Sequence, residues 1–213
     1  MSRTHAPSGH PYNTQDPEEV HDLLWERFKG DMGWDIGAHQ GQSTDRMMTQ
    51  FQQVIALEPA IESFGFLKQE WGNRLHVTAL NKAAAAHDGV MRLSVREVPI
   101  SGGQLVDADL PEEGTWWGEI TGFRKVECVT LDSLAREYGM PDFVKVDVEG
   151  GEVGVLAGAA TVIGHGCDWL IEYHSHALRD QCARMLVLGG GYSVEDIPCP
   201  GKEDNGWLLV TRP

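Results

Sequence analysis

The chain has 213 residues, 41% hydrophobic and 23% charged, which suits one well-cored globular domain better than two domains or a disordered segment. Its 32 acidic and 17 basic residues give a formal charge of −15, and Lys and Arg occur singly with no basic run, so neither nucleic acid nor an anionic membrane surface is an expected partner. No run of about 18 consecutive apolar residues is present to make a membrane-spanning helix.

Residues 1–17 are polar, contain Pro and Gly and lack the apolar core of a secretory signal, so they read as a flexible arm ahead of a single domain over 18–213 in the cytoplasm. The four cysteines, Cys128, Cys167, Cys182 and Cys199, make neither a CxxC pair nor a metal-ligand spacing and read as free thiols. Residues 18–29 place Val20, Leu23, Leu24 and Phe28 on one helical face behind an acidic first turn. A short strand through Trp34 and Ile36 then enters the loop Asp35-Ile36-Gly37-Ala38-His39-Gln40-Gly41, followed by a helix over 42–51. The apolar run 53–58 reads as a buried strand that ends at Glu58, where Pro59 disfavours helix.

A helix over 60–71 and a strand over 75–80 continue the alternation, which implies a mostly parallel sheet covered on both faces. Between 90 and 130 the pattern changes to alternation by twos around a Gly-rich stretch with Trp116 and Trp117, as in an inserted hairpin or edge strands with a long loop. The loop over 99–122 has the length and punctuation of a lid. Further elements follow as a strand over 142–148, a helix over 152–160, a strand over 169–173 and a helix over 177–188. Two last strands, 192–197 and 206–211, suit an antiparallel hairpin at the sheet edge.

A strand ending in an acidic residue and turning through glycines into a helix is a way to hold a nucleotide-like ligand, because glycine lets the backbone approach closely. Asp35, Gly37 and Gly41 make that turn, and Glu58 ends the next strand about 20 residues on, where a carboxylate can accept from both ribose hydroxyls of an adenosine. A dinucleotide fits less well. The GxGxxG pattern is absent, and Asp35 sets a negative charge beside the place a pyrophosphate would need. A sulfonium cofactor with a cationic amino group tolerates that carboxylate. Asp147, Glu149, Glu172 and His174 fall at the carboxyl ends of two further strands, which face the ligand crevice of an open α/β sheet.

These segments resemble the FkbM-type S-adenosylmethionine-dependent methyltransferases over roughly 33–175. The resemblance rests on DIGAHQG at 35–41, ALEP at 56–59, Thr130 to Leu134, and KVDVEGGE at 145–152 followed by Ile171-Glu172-Tyr173-His174. His39 stands where the family usually has Asn, and Gly151 where it usually has Ala. The resemblance implies a class I methyltransferase fold, a Rossmann-like three-layer α/β sandwich with the cofactor across the strand ends. It also implies O-methylation of a hydroxyl on a small, sugar-like acceptor. Asp35, Gly37, Ala38 and Gly41 carry over as the methionine-side turn, Glu58 as the ribose ligand, and Asn81 as a residue near the adenine.

An alcohol needs a base, or a cation that lowers its pKa, before it attacks a methyl group. Asp147, Glu149 and His174 are the expected catalytic residues. Asp147, Glu172 and His174 are the expected ligands of a Mg²⁺ ion, with His174 or Glu149 acting as base if no ion takes part. A noncatalytic module of the same fold and an NAD-dependent sugar-modifying enzyme are the competing readings, and a homodimer is the candidate assembly.

Overall fold

The computed structural model describes residues 24–96, 105–106 and 120–212. The arm at 1–17, the first half of the first expected helix, Trp116, Trp117 and most of the expected lid lie outside the described residues. The central strand β1 (Gly30–Ile36) is followed by α1 (Gln42–Met47), β2 (Phe51–Leu57), α2 (Ile61–Glu70) and β3 (Val77–Leu80). The second half of the main sheet is built from β8 (Phe143–Val146), β9 (Asp168–Tyr173), β10 (Ser193–Pro198) and β11 (Gly206–Thr211). Its helices are α3 (Leu131–Tyr138), α4 (Glu152–Ala157), α5 (Ala160–His165) and α6 (His176–Gly190).

The seven strands lie in the order β10-β11-β9-β8-β1-β2-β3. Strand β1 pairs in parallel with β2 on one side and β8 on the other, and β8 pairs in parallel with β9. The C-terminal hairpin is antiparallel as expected, but its second strand β11 inserts between β9 and β10, so β10 forms the edge. Side chains alternate between two buried faces along each central strand. Trp34, Ile36, Val144, Val146, Trp169 and Ile171 join one core with the helices from α3 onward. Val54, Phe143, Leu170 and Leu209 join the other, where Leu24, Trp25 and Phe28 close the layer. Leu24 and Phe28 are buried, but the described helix covers only residues 24–25 and a turn follows, so it stops short of the expected 29.

The 90–130 region forms a sheet of its own. It contains β4 (Ala83–Ala84), β5 (Gly89–Arg96), β6 (Leu105–Val106) and β7 (Ile120–Val129) in the order β4-β7-β5-β6. The expected hairpin is the antiparallel β5–β7 pair, with an irregularity between Val95 and Arg96. Strand β2 begins at Phe51, so α1 stops well short of the expected 51. The expected helix over 152–160 ends at Ala157, with Gly158 as its C-cap, and a separate short helix begins at Ala160; a Cβ at Gly158 would sit 2.3 Å from the Ala85 carbonyl oxygen, so that cap has room for glycine alone. Helix α3 was not expected. Thr130 caps it, its Oγ1 accepting the Ser133 N–H at 3.0 Å, while Leu131, Leu134 and Ala135 are buried.

Phe143 stacks on Phe28 at 4.1 Å between centroids and on Phe51 at 5.6 Å, and meets Trp25 edge-on at 5.7 Å. Phe143→Ala opens a cavity under three rings and is expected to destabilise the fold by about 3–5 kcal/mol, measured by urea unfolding.

Candidate active site

A cavity of about 930 Å³ opens at the carboxyl ends of the main strands and is walled on its far side by the second sheet. The turn after β1 begins at Gly37, whose φ of 79° and a would-be Cβ only 1.8 Å from the Asp147 carbonyl oxygen exclude any side chain. Gly37 and Ala38 donate their N–H groups to the Leu57 carbonyl at 3.0 and 2.8 Å, which fastens the turn to the end of β2. Both residues line the cavity.

Glu58 follows β2 and also faces the cavity, although only 7% of it is exposed. Its Oε2 accepts the His39 N–H at 2.8 Å and its Oε1 the Ala60 N–H at 2.7 Å. Burial pushes its pKa above the ordinary carboxylate range, and the two backbone donors oppose that rise. Each oxygen keeps a further lone pair for a ligand hydroxyl. Asn81, just beyond β3, lines the cavity and spends its amide Nδ2 on the Glu58 and Pro59 carbonyls at 2.8 and 3.1 Å, so it pins the turn that carries Glu58.

Two residues expected at the cofactor are placed elsewhere. Asp35 is fully buried and absent from the cavity wall, because its carboxylate turns inward, accepting from Thr44 Oγ1 at 2.6 Å and pairing with Lys145 Nζ at 3.3 Å. Gly41 does not line the cavity either. Its φ of 98° caps α1, and a Cβ there would meet the Trp71 ring at 2.3 Å. Both residues shape the turn from behind.

After β8, the chain runs Asp147-Val148-Glu149-Gly150-Gly151, with Glu149 at a φ of 53°. His39 at 52° and Glu149 are the non-glycine residues with positive φ among those described, and both line the cavity. Such strain is concentrated at functional sites. His174, just past β9, brings its Nε2 to 3.3 Å from Glu149 Oε2 and 3.8 Å from Asp147 Oδ1. Its Nδ1 lies 2.8 Å from Oε1 of Glu152, a fully buried residue that also accepts the Gly150 N–H. Burial alone would lower the His174 pKa, but Glu152, Glu149 and Asp147 together hold it up at about 9. Burial and the charge of Asp147 push Glu172 up to about 7, while Trp207 Nε1 donates to its Oε2 at 3.3 Å.

The structure therefore unites Asp147, Glu149 and His174, whose donor atoms lie within 4.8 Å of one another, and leaves Glu172 outside that trio. Magnesium is not supported at the site: Lys145 Nζ already pairs with the other Asp147 oxygen at 3.4 Å, and the proton that the surrounding carboxylates hold on His174 would have to leave before its ring could take an ion. While it keeps that proton, His174 cannot act as a general base. Sequence reasoning also passed over Lys145 and Glu152. A lysine between valines in a buried strand was the available signal, since such a charge requires a buried partner.

The family model of the methyltransferase FkbM domain matches residues 35–194. The chain belongs to the FkbM methyltransferase family. Its fold is the class I methyltransferase fold that the sequence resemblance implied. The FkbM methyltransferase of Methylobacillus flagellatus KT is 17% identical with a TM-score of 0.63, over 91% of this chain and 50% of that one. The chain thus spans half the length of that relative. An rRNA methylase of Streptococcus thermophilus is 9% identical with a TM-score of 0.57, over 92% of this chain and 96% of that one. Aeropyrum pernix fibrillarin, with natively bound S-adenosyl-L-methionine, is 12% identical with a TM-score of 0.51, over 86% and 67% of the two chains. No curated protein matches the sequence.

Because the folded pKa of His174 lies near 9 and the ordinary value is 6.5, its proton stabilises the fold fully below pH 6.5 and ceases to do so as pH rises through 9. The Tm advantage of wild type over His174→Gln is expected to shrink by several degrees across that window in thermal melts. A constant difference would show that His174 is neutral in the folded protein.

Proposed function

We propose that this FkbM-family domain binds S-adenosylmethionine in the cavity and transfers its methyl group to a hydroxyl of a small, sugar-like acceptor. One observation carries the reading: Glu58 and the Gly37 turn stand side by side at the strand ends, with Asp147 and Glu149 beside them on the same cavity. Glu58 offers its carboxylate to the ribose hydroxyls, and Gly37 and Ala38 leave room for the methionine portion. Asp147 and Glu149 put negative charge where a sulfonium and its ammonium group are stabilised and a pyrophosphate is repelled. That charge also weighs against the NAD reading.

Glu149 is the proposed base. Burial foremost, with the charges of Asp147 and Glu152, raises its pKa, which brings a carboxylate closer to the range where it takes a proton effectively. The hydroxyl proton passes to Glu149 as the acceptor oxygen bonds to the methyl carbon, and the electron pair of the broken C–S bond stays on sulfur. His174, held by Glu152, steadies the Glu149 carboxylate from the side away from the acceptor. Positioning of two reactants in one cavity supplies the remainder of the acceleration. No step runs through magnesium.

Calorimetry with S-adenosylhomocysteine tests the cofactor part. Binding in the micromolar range is expected for the wild type, with a loss of at least about tenfold in Glu58→Ala. Absence of binding to the wild type, or unchanged binding in the variant, rejects it. Transfer of isotopically labelled methyl from S-adenosylmethionine to a panel of mono- and oligosaccharides, read by NMR of the products, tests the acceptor part. Glu149→Gln is expected to slow transfer by about 10²–10⁴-fold while retaining S-adenosylhomocysteine, and EDTA to leave the wild-type rate unchanged. Methyl groups found only on nitrogen would overturn the O-methyl assignment.

A further inference from the structure

We propose that Lys145 is a positioning residue that holds the cofactor turn and the acidic cluster together as one unit, an inference that rests on the cofactor reading above. Lys145 stands in β8 directly opposite Asp35 of β1 and Leu170 of β9. It is only 7% exposed, yet it forms part of the cavity wall. Its Nζ donates to the Gly37 carbonyl at 3.0 Å and lies 3.3 Å from Asp35 Oδ1 and 3.4 Å from Asp147 Oδ2. The ammonium thus makes one hydrogen bond and two ion pairs, to three different parts of the site. The first partner is the turn, the second the scaffold behind it, the third the cluster.

The backbone already brings these parts into contact. Asp147 donates its N–H to the Ile36 carbonyl at 3.0 Å, and its own carbonyl oxygen occupies the space beside Gly37 where a Cβ would have to go. What the backbone cannot do is orient the Asp147 carboxylate. That side chain is 29% exposed, and Lys145 restrains one of its oxygens while His174 lies near the other. Through Lys145, a shift of the Gly37 carbonyl on cofactor binding becomes a shift of the charge that aims Asp147. A buried lysine whose only task was to neutralise Asp35 would need neither the Gly37 carbonyl nor Asp147.

Separating these roles requires variants that keep the buried charge balanced. Lys145→Met alone strands the Asp35 carboxylate and is expected to lower the Tm severely. Asp35→Asn combined with Lys145→Met removes both charges, so stability is expected to recover while the tie stays broken. By calorimetry, that double variant should bind S-adenosylhomocysteine roughly tenfold more weakly than wild type, the effect of losing a charge-assisted hydrogen bond that holds the binding turn. Asp147→Ala should change affinity in the wild-type background and have no further effect in the double-variant background, because residues coupled through a shared partner are not additive.

A double variant that binds as tightly as wild type overturns the proposal and leaves the cofactor reading standing. Additive effects of Asp147→Ala in the two backgrounds overturn the coupling. Wild-type protein that binds no S-adenosylhomocysteine overturns the cofactor reading itself, and this inference with it. Should the double variant fail to fold, Lys145→Arg decides the matter: the charge is kept, but a planar guanidinium cannot match the three-way ammonium geometry. Wild-type affinity in Lys145→Arg then rejects the positioning role, and weakened affinity supports it.

Discussion

The ammonium of Lys145, buried at the carboxyl end of the sheet, is the charge around which the site is organised. Burial by itself would drive such a lysine toward neutrality, but Asp35, Asp147 and Glu172 outweigh that penalty and hold its pKa above the ordinary value. The register of β1 against β8 places Asp35 and Lys145 opposite each other, and a slip of either strand by one residue would send its charged group into the apolar core on the other face and separate the pair. Breaking a buried pair of this kind by removing one partner costs about 3–5 kcal/mol. Sheet register and site geometry are therefore the same constraint.

The cluster beyond that pair carries more negative than positive charge. Asp35, Asp147, Glu149, Glu152 and Glu172 surround Lys145 and His174, and burial with mutual repulsion raises the pKa of Glu149 and Glu172. A site of this character opposes anions and stabilises a cationic ligand without needing a metal ion. Its negative charge is held by strained backbone at Glu149 and by a histidine trapped between carboxylates, so the arrangement is over-determined from several sides. In the proposed reading, that rigidity spares the reaction the reorganisation that water would demand.

Much of this was legible in the sequence, for identifiable reasons. Alternating strands and helices reveal themselves through apolar runs and turn residues, and a carboxylate at the end of a strand tends to lie near the crevice, as Glu58, Asp147 and Glu149 do, while His174 is not part of the cavity wall and reaches it only through Glu149 and Asp147. The direction a side chain takes from a strand buried on both faces is not encoded in any such pattern. Asp35 therefore looked like a cofactor contact and Lys145 was given no role, although the two are partners. Gly41 was read as a ligand glycine because its role, making room for Trp71, depends on a helix 30 residues further along the chain. The expectation of magnesium finds no support, and spacing does not reveal the neighbour that bears on it, Glu152, whose carboxylate favours a proton on His174.

The second sheet completes the division of labour within the cavity. Leu93, Val95, Leu105 and Val126 supply an apolar wall on the side away from the acidic cluster, while Arg124 of β7 pairs with Glu62 in the first turn of α2 and so joins the two sheets across the rim. The cofactor side cannot tolerate much change, because Gly37, Lys145 and Asp147 constrain one another at contact distance. The second sheet meets α2 through an exposed ion pair, which contributes at most about 1 kcal/mol. In the proposed reading, differences in acceptor among proteins of this architecture are most easily accommodated in the second sheet, with methyl transfer left in place at the strand ends.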